Sequence, residues 1–129
     1  MIKDTIAAWH DCIKTLDPEL LEALLHEDAT FHSPVVFTPQ IGKGITGKYL
    51  LAAFHVLNGD DFKYVREIVG PTDAVLEFTT TIDGIVINGV DLIQWGEDGR
   101  ITDFKVMIRP LKAINLVHQK MAETLTQSA

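Results

Sequence analysis

Only one cysteine, Cys12, occurs in this chain of 129 residues, so no disulfide can form within it. A reducing compartment suits such a chain. It has no CxxC pair and no HExxH helix, and its five histidines, His10, His26, His32, His55 and His118, are scattered. No zinc site is implied, and no other metal or cofactor is called for. Basic residues are in deficit, 11 against 18 acidic, which leaves a net charge of −7. That balance argues against nucleic acid or an anionic membrane surface as the main partner. Long hydrophobic runs are lacking too. The longest, near Leu50–Leu57, is too short to span a bilayer and is broken by His55. Asp4 and Asp11 fall where a secretory signal would need an apolar core. The expectation is a soluble, cytoplasmic protein with no membrane association.

The apolar fraction of 47% and the charged fraction of 22% are those of an ordinary globular protein. The length fits a single domain over residues 1–129, large enough to bury a core unaided. The stretch Ile85–Pro110, IVINGVDLIQWGEDGRITDFKVMIRP, organises the rest. Two apolar-rich segments flank Gly96-Glu97-Asp98-Gly99, the pattern of a β-hairpin with a short glycine-containing turn.

Upstream, Ile2, Ile6, Trp9, Ile13 and Leu16 recur three and four apart and predict a helix over Lys3–Leu16. Asp17-Pro18 places a good capping residue before a proline suited to a first helical turn, so a short helix follows from Pro18 to Leu25. Ala29–Ser33 reads as a strand stopped by Pro34, and residues 34–43 as a loop. Ile45, Tyr49, Leu50, Ala53, Phe54 and Leu57 form the stripe of a third helix, closed by Asn58-Gly59-Asp60. From Phe62 the period drops to two. Strands are predicted over Phe62–Val69, Ala74–Ile82, Ile85–Trp95 and Arg100–Ile108, with a bulge suggested at Asn88-Gly89. A last helix runs from Leu111 to Thr126, with Ile114, Val117, Met121 and Leu125 on one face.

The order ααβαββββα puts helices before an antiparallel meander, an α+β layout. A curved antiparallel sheet closed by the N-terminal helices makes a cone, and a cone with a mouth suits a small molecule. Within the hairpin, Asp91 is the one acid on a face it shares with Ile93 and Trp95. An interior acid either has a structural partner, such as the Trp9 indole N–H, or marks a site. Burial would raise its pKa and fit it to donate a hydrogen bond or carry a proton.

Several stretches carry a resemblance: Ala8-Trp9-His10; Leu24–Pro34, reading LLHEDATFHSP; Gly89-Val90-Asp91-Leu92; and Asp98–Phe104, reading DGRITDF. In these and in its element order the chain resembles the nuclear transport factor two-like superfamily, within it the SnoaL-like and ketosteroid-isomerase-like branch. The resemblance covers nearly the whole chain and implies a cystatin-like cone. That family hosts isomerases, cyclases, hydratases and non-catalytic proteins, so it specifies the fold better than the activity. Where ketosteroid isomerases have a general-base aspartate before a proline, this chain has Ser33 before Pro34. Their oxyanion tyrosine falls on Trp9, and their protonated aspartic acid on Asp91. Serine is no base for a carbon acid, so the resemblance does not extend to a standard ketosteroid isomerase.

Asp91 is thus the candidate catalytic residue, as acid or base. Trp9 is kept as pocket lining by its family position. Ser33 is either a turn cap or a ligand contact. Phe31, Tyr49, Phe54, Ile93, Trp95 and Phe104 read as walls of the cone, although periodicity does not separate wall from core. His10 and His55 are the histidines that could enter it, and Arg109 at the strand end is either an ion-pair residue or a carboxylate contact. Val90, Leu92 and Met107 have the opposite parity and form an apolar outer face, to be covered by the C-terminal helix or by a second copy; a homodimer is expected. The functional expectation is a small apolar, carbonyl-bearing ligand and a proton transfer of isomerase or cyclase type. The rivals are a non-catalytic ligand-binding protein and a dimeric interaction module of the same fold.

Overall fold

Asp4 starts the first helix. Its carboxylate accepts the Ala7 N–H at 3.0 Å, and α1 runs over Thr5–Thr15 in the computed structural model, which describes residues 2–127. Residues 1, 128 and 129, the ends of the expected 1–129 span, lie outside the described residues. Leu16, in the left-handed region at φ 54°, ends α1 by returning its N–H to the Cys12 carbonyl at 2.8 Å. Asp17 then caps α2 (Pro18–Leu24) through the Glu19 N–H.

The chain passes directly into β1 (Leu25–His32), which begins earlier than Ala29. His26-Glu27-Asp28 therefore lies inside the strand rather than ending a helix, while Leu25, Ala29 and Phe31 are buried. The expected loop contains β2 (Gln40–Ile41), paired antiparallel to β1. Helix α3 spans Lys43–Leu57, and the buried Thr46 hydroxyl donates to the Ala29 carbonyl at 2.8 Å, pinning the helix to β1. The meander follows as β3 (Lys63–Val69), β4 (Asp73–Ile82), β5 (Ile85–Trp95) and β6 (Ile101–Arg109), and α4 (Leu111–Gln127) ends the described chain.

All six strands share one sheet, in the order β2-β1-β6-β5-β4-β3. Every pairing is antiparallel except β1 with β6, which is parallel and sets Phe31 opposite Phe104. The register places Asp91 between Leu76 of β4 and Val106 of β6. The bulge expected at Asn88-Gly89 is not there. Both ladders of β5 run unbroken through these residues, and the irregularities lie at Gln94/Trp95, Tyr64/Arg66 and Leu25/Thr30. Asn88 instead uses its side chain across the sheet, donating to Glu77 and to the Phe78 carbonyl. Gly89 is required for packing: a Cβ there would sit 2.5 Å from Phe78 Cζ and 2.8 Å from the Met107 carbonyl oxygen.

The concave face carries the core. Phe31, Leu76, Phe78, Ile87, Ile93 and Phe104 are each at most 1% exposed, and Trp9 packs on them from α1. The α4 helix does not cover the other face. Its Val117 and Met121 meet Val106 and Ile108, which share the concave parity of Phe104, so α4 extends the lid of the cone beside α3. On the convex face Val86 and Met107 remain more than half exposed.

Candidate functional site

The inward parity of β5 delivers Asp91 to the floor of the cone, where it is only 6% exposed. A cavity beside it encloses about 430 Å³ of atom-free space, mouth included. Trp9 and Ile13 of α1, with Leu16 just past its end, form one wall, and Leu50, Ala53, Phe54 and Leu57 of α3 another. Tyr64, Phe78, Phe104 and Val106 from the sheet, with Phe62 just before β3, complete the sides, and Asn58 stands at the exposed rim. Its freely accessible interior is only about 40 Å³, enough for a few waters and too small for a polycyclic molecule. A larger ligand therefore enters only if rim side chains move.

Asp91 does not face this apolar space without a partner. The Tyr64 hydroxyl donates to Asp91 Oδ2 at 2.6 Å, and Trp9 Nε1–H donates to the Tyr64 oxygen at 3.0 Å. The partner considered for Asp91, Trp9, thus reaches it through a tyrosine. Asp91 Oδ1 has no protein partner among the described residues. No buried polar side-chain atom among them lacks a partner, so Oδ1 is open to the cavity rather than sealed. Burial pushes the Asp91 carboxyl up to about 7, and the Tyr64 hydrogen bond opposes this only in part. Burial and then the neighbouring carboxylate hold the Tyr64 phenol well above its usual range. An acid titrating near neutrality with one open oxygen can accept or donate a proton at ordinary pH.

Of the other residues named from sequence, Trp9, Phe54 and Phe104 line this cavity with Asp91, their rings 4.7–5.3 Å apart from Trp9 to each phenylalanine. Phe31 and Ser33 line a separate small hollow against α4. The Ser33 oxygen accepts the N–H groups of Val35 and Val36 at 3.1 and 3.3 Å, a turn cap. Tyr49 packs on Phe31, with ring centroids 5.7 Å apart. Ile93 is buried opposite Phe104, and Trp95 lies beside Pro71 and Gly96 at another surface. His10 sits edge-on to Tyr64 and pairs with Glu67 outside the cavity. His55 lines an open groove with Glu22, Glu27, Lys43 and Lys48. Arg109 donates to Asn88.

Sequence reading missed Tyr64, Phe62 and Phe78. The alternation of Phe62 and Tyr64 was a signal. Both parities of β3 carry charge, however, Arg66 beside Tyr64 on one and Lys63 with Glu67 on the other, so alternation alone gives no reason to prefer either as the interior.

The family model described as the SnoaL-like domain matches residues 6–104. The chain belongs to the SnoaL-like domain family. No curated protein matches it. Among solved structures, a steroid delta-isomerase from Pseudomonas aeruginosa is 33% identical with a TM-score of 0.90, covering 96% of this chain and 90% of that one. An uncharacterised bacterial protein with a cystatin-like fold from Silicibacter pomeroyi is 30% identical with a TM-score of 0.86, over 95% and 85%. An NTF2-like protein of unknown function from Mesorhizobium loti, at 20% identity and TM-score 0.71 over 82% and 88%, shares the fold. This SnoaL-like chain is therefore a member of the nuclear transport factor two-like superfamily, with the α+β cone of that fold. No helix among the described residues is long and apolar enough to cross a membrane.

Proposed function

We propose that this SnoaL-like protein binds a small apolar molecule bearing a carbonyl group and moves a proton on it, with Asp91 as acid and base. One observation carries the reading: a buried carboxyl presents a single open oxygen to an otherwise apolar cavity. Ionised Asp91 takes a proton from the carbon next to the carbonyl. The C–H bond breaks, an O–H bond forms, and the electron pair moves onto the carbonyl oxygen. Where a carbon–carbon double bond of the ligand is conjugated with the enolate so formed, Asp91 returns the proton at the far carbon of that double bond, the double bond shifts toward the carbonyl, and the net change is an isomerisation with no other reactant. The 33% identical relative being a steroid delta-isomerase supports an enolisable, polycyclic ligand class. Ser33 bars the standard route of ketosteroid isomerases, because that position is a turn cap in a different hollow. Trp9, Phe54 and Phe104 serve as walls. The protein works as a soluble cytoplasmic homodimer, joined through the convex face that α4 leaves open.

A second reading, a non-catalytic binding or interaction module, is favoured by the narrowness of the cavity. Calorimetric titration with a panel of polycyclic ketones, followed by assay of hydrogen exchange from the ligand into heavy water, separates the two. Saturable binding with exchange that disappears in Asp91→Asn supports proton transfer. Binding without exchange leaves a carrier, and full exchange in Asp91→Asn refutes the role of Asp91.

A further inference from the structure

The hydrogen bonds from Trp9 through Tyr64 to Asp91 have a direction. An indole N–H can give a hydrogen but has no lone pair with which to accept one. With Trp9 Nε1 at 3.0 Å, the Tyr64 oxygen is therefore the acceptor of that bond. The phenol hydrogen cannot point back at Trp9, and the other hydrogen-bond partner of Tyr64 is Asp91 Oδ2 at 2.6 Å. A proton on Oδ2 given to Tyr64 would leave the phenol hydrogen with no acceptor among the described residues. The arrangement that satisfies every group has Oδ2 accepting. Any proton that Asp91 holds then resides on Oδ1.

We infer that Trp9 and Tyr64 are positioning residues that make this chain one-way and reserve Oδ1 as the only oxygen through which Asp91 takes up and gives back a proton. Trp9 supplies the donor-only end. The consequence for chemistry is geometric. A proton removed by Oδ1 is returned by the same atom, so both events take place on one face of the ligand. This bearing on catalysis rests on the proton-transfer reading above, whereas the direction of the chain does not.

Few other charges reach the pair. On β3, Glu67 acts on the Tyr64 phenol, and on α1, His10 lies edge-on to the Tyr64 ring and pairs with Glu67. From α3, β4 and β6 the cavity wall contributes apolar residues and the neutral Asn58. The carboxyl of Asp91 responds to burial and to Tyr64.

The test is a carbon-detected NMR titration of the Asp91 carboxyl in the ligand-free full-length protein. Four samples are compared: wild type, Tyr64→Phe, Trp9→Phe, and protein in which the 2 tyrosines are replaced by 3-fluorotyrosine. Tyr64→Phe removes a donor to the carboxylate and leaves burial in place, so the Asp91 midpoint should rise by about one to two pH units. Fluorotyrosine is a more acidic, stronger donor, so the midpoint should fall. Trp9→Phe weakens the tyrosine as a donor and should raise the midpoint by less than Tyr64→Phe. Opposite shifts from the phenylalanine and fluorotyrosine samples support the one-way chain, because a tyrosine that only filled space would not produce them. An unchanged midpoint in both, or a shift of the same sign, overturns it. Should Tyr64→Phe fail to fold, the fluorotyrosine sample decides by its sign alone. Failure to find a ligand would defeat the proposed function and leave these titrations untouched.

Discussion

Asp91→Asn keeps the shape of the side chain and removes its ionisation. In the folded protein the carboxyl titrates at about 7, raised from an ordinary 3.8 by burial. The folded state thus holds this proton more tightly than the unfolded chain. Below the unfolded pKa the acid is neutral in both states and burial carries no ionic penalty. As pH rises through the folded pKa the penalty becomes complete. A difference of three or so pH units, at about 1.4 kcal/mol each, makes it about 4 kcal/mol. The asparagine variant escapes it, so its stability relative to wild type should climb by about 4 kcal/mol between about pH 4 and pH 8. Urea unfolding of both proteins across that range reads the difference directly, since all other titrating groups cancel. A difference that stays flat with pH would show that Asp91 is hydrated or otherwise satisfied, and would refute the desolvated acid. A variant that is more stable at neutral pH but inactive would mark Asp91 as a group retained for function at a cost in stability.

Three further outcomes follow from packing and exposure. Gly89→Ala forces a methyl group against Phe78 and the Met107 carbonyl in the middle of the sheet, and should destabilise by about 1–3 kcal/mol in thermal unfolding. Ser33→Ala removes the acceptor for the Val35 and Val36 amides and should lower stability by about 1 kcal/mol while leaving ligand affinity unchanged; a loss of affinity would make Ser33 a ligand contact. Met107→Glu places a charge on the half-exposed convex face, and analytical ultracentrifugation should show a shift from twice 14.3 kDa to a single chain. A wild type that already sediments as a single chain would remove the homodimer.

The element order and the α+β cone were legible because each long element has one strong period. The β5 limits, Ile85–Trp95, follow from alternation between two turn signals. The misses have local physical causes. The polar run His26-Glu27-Asp28 mimics a helix end, yet it lies in β1 because Leu25, Ala29 and Phe31 anchor that strand to the core. Two residues of β2 are too few to show a period. Asn88-Gly89 has turn chemistry, but here the glycine makes room for Phe78 and the asparagine bonds across the sheet. For the site, Asp91 was visible as an acid among apolar neighbours. Tyr64 was not, because its importance lies in a bond to a residue 27 positions away, and only the fold supplies that proximity.

The parallel pairing of β1 with β6 has a consequence for how the chain is made. His32 and Asp103, bonded across that ladder, are 71 residues apart in sequence. Until β6 has left the ribosome, β1 has only the two-residue β2 beside it, and the floor of the cone is open. Bringing β1 and β6 together closes a long loop before much of the core rewards it, which slows folding. At a synthesis rate of about 5–20 residues per second, Trp9 of α1 waits several seconds for Phe104 of β6. The first helix of this protein is seated among the last, by a strand that arrives near the end.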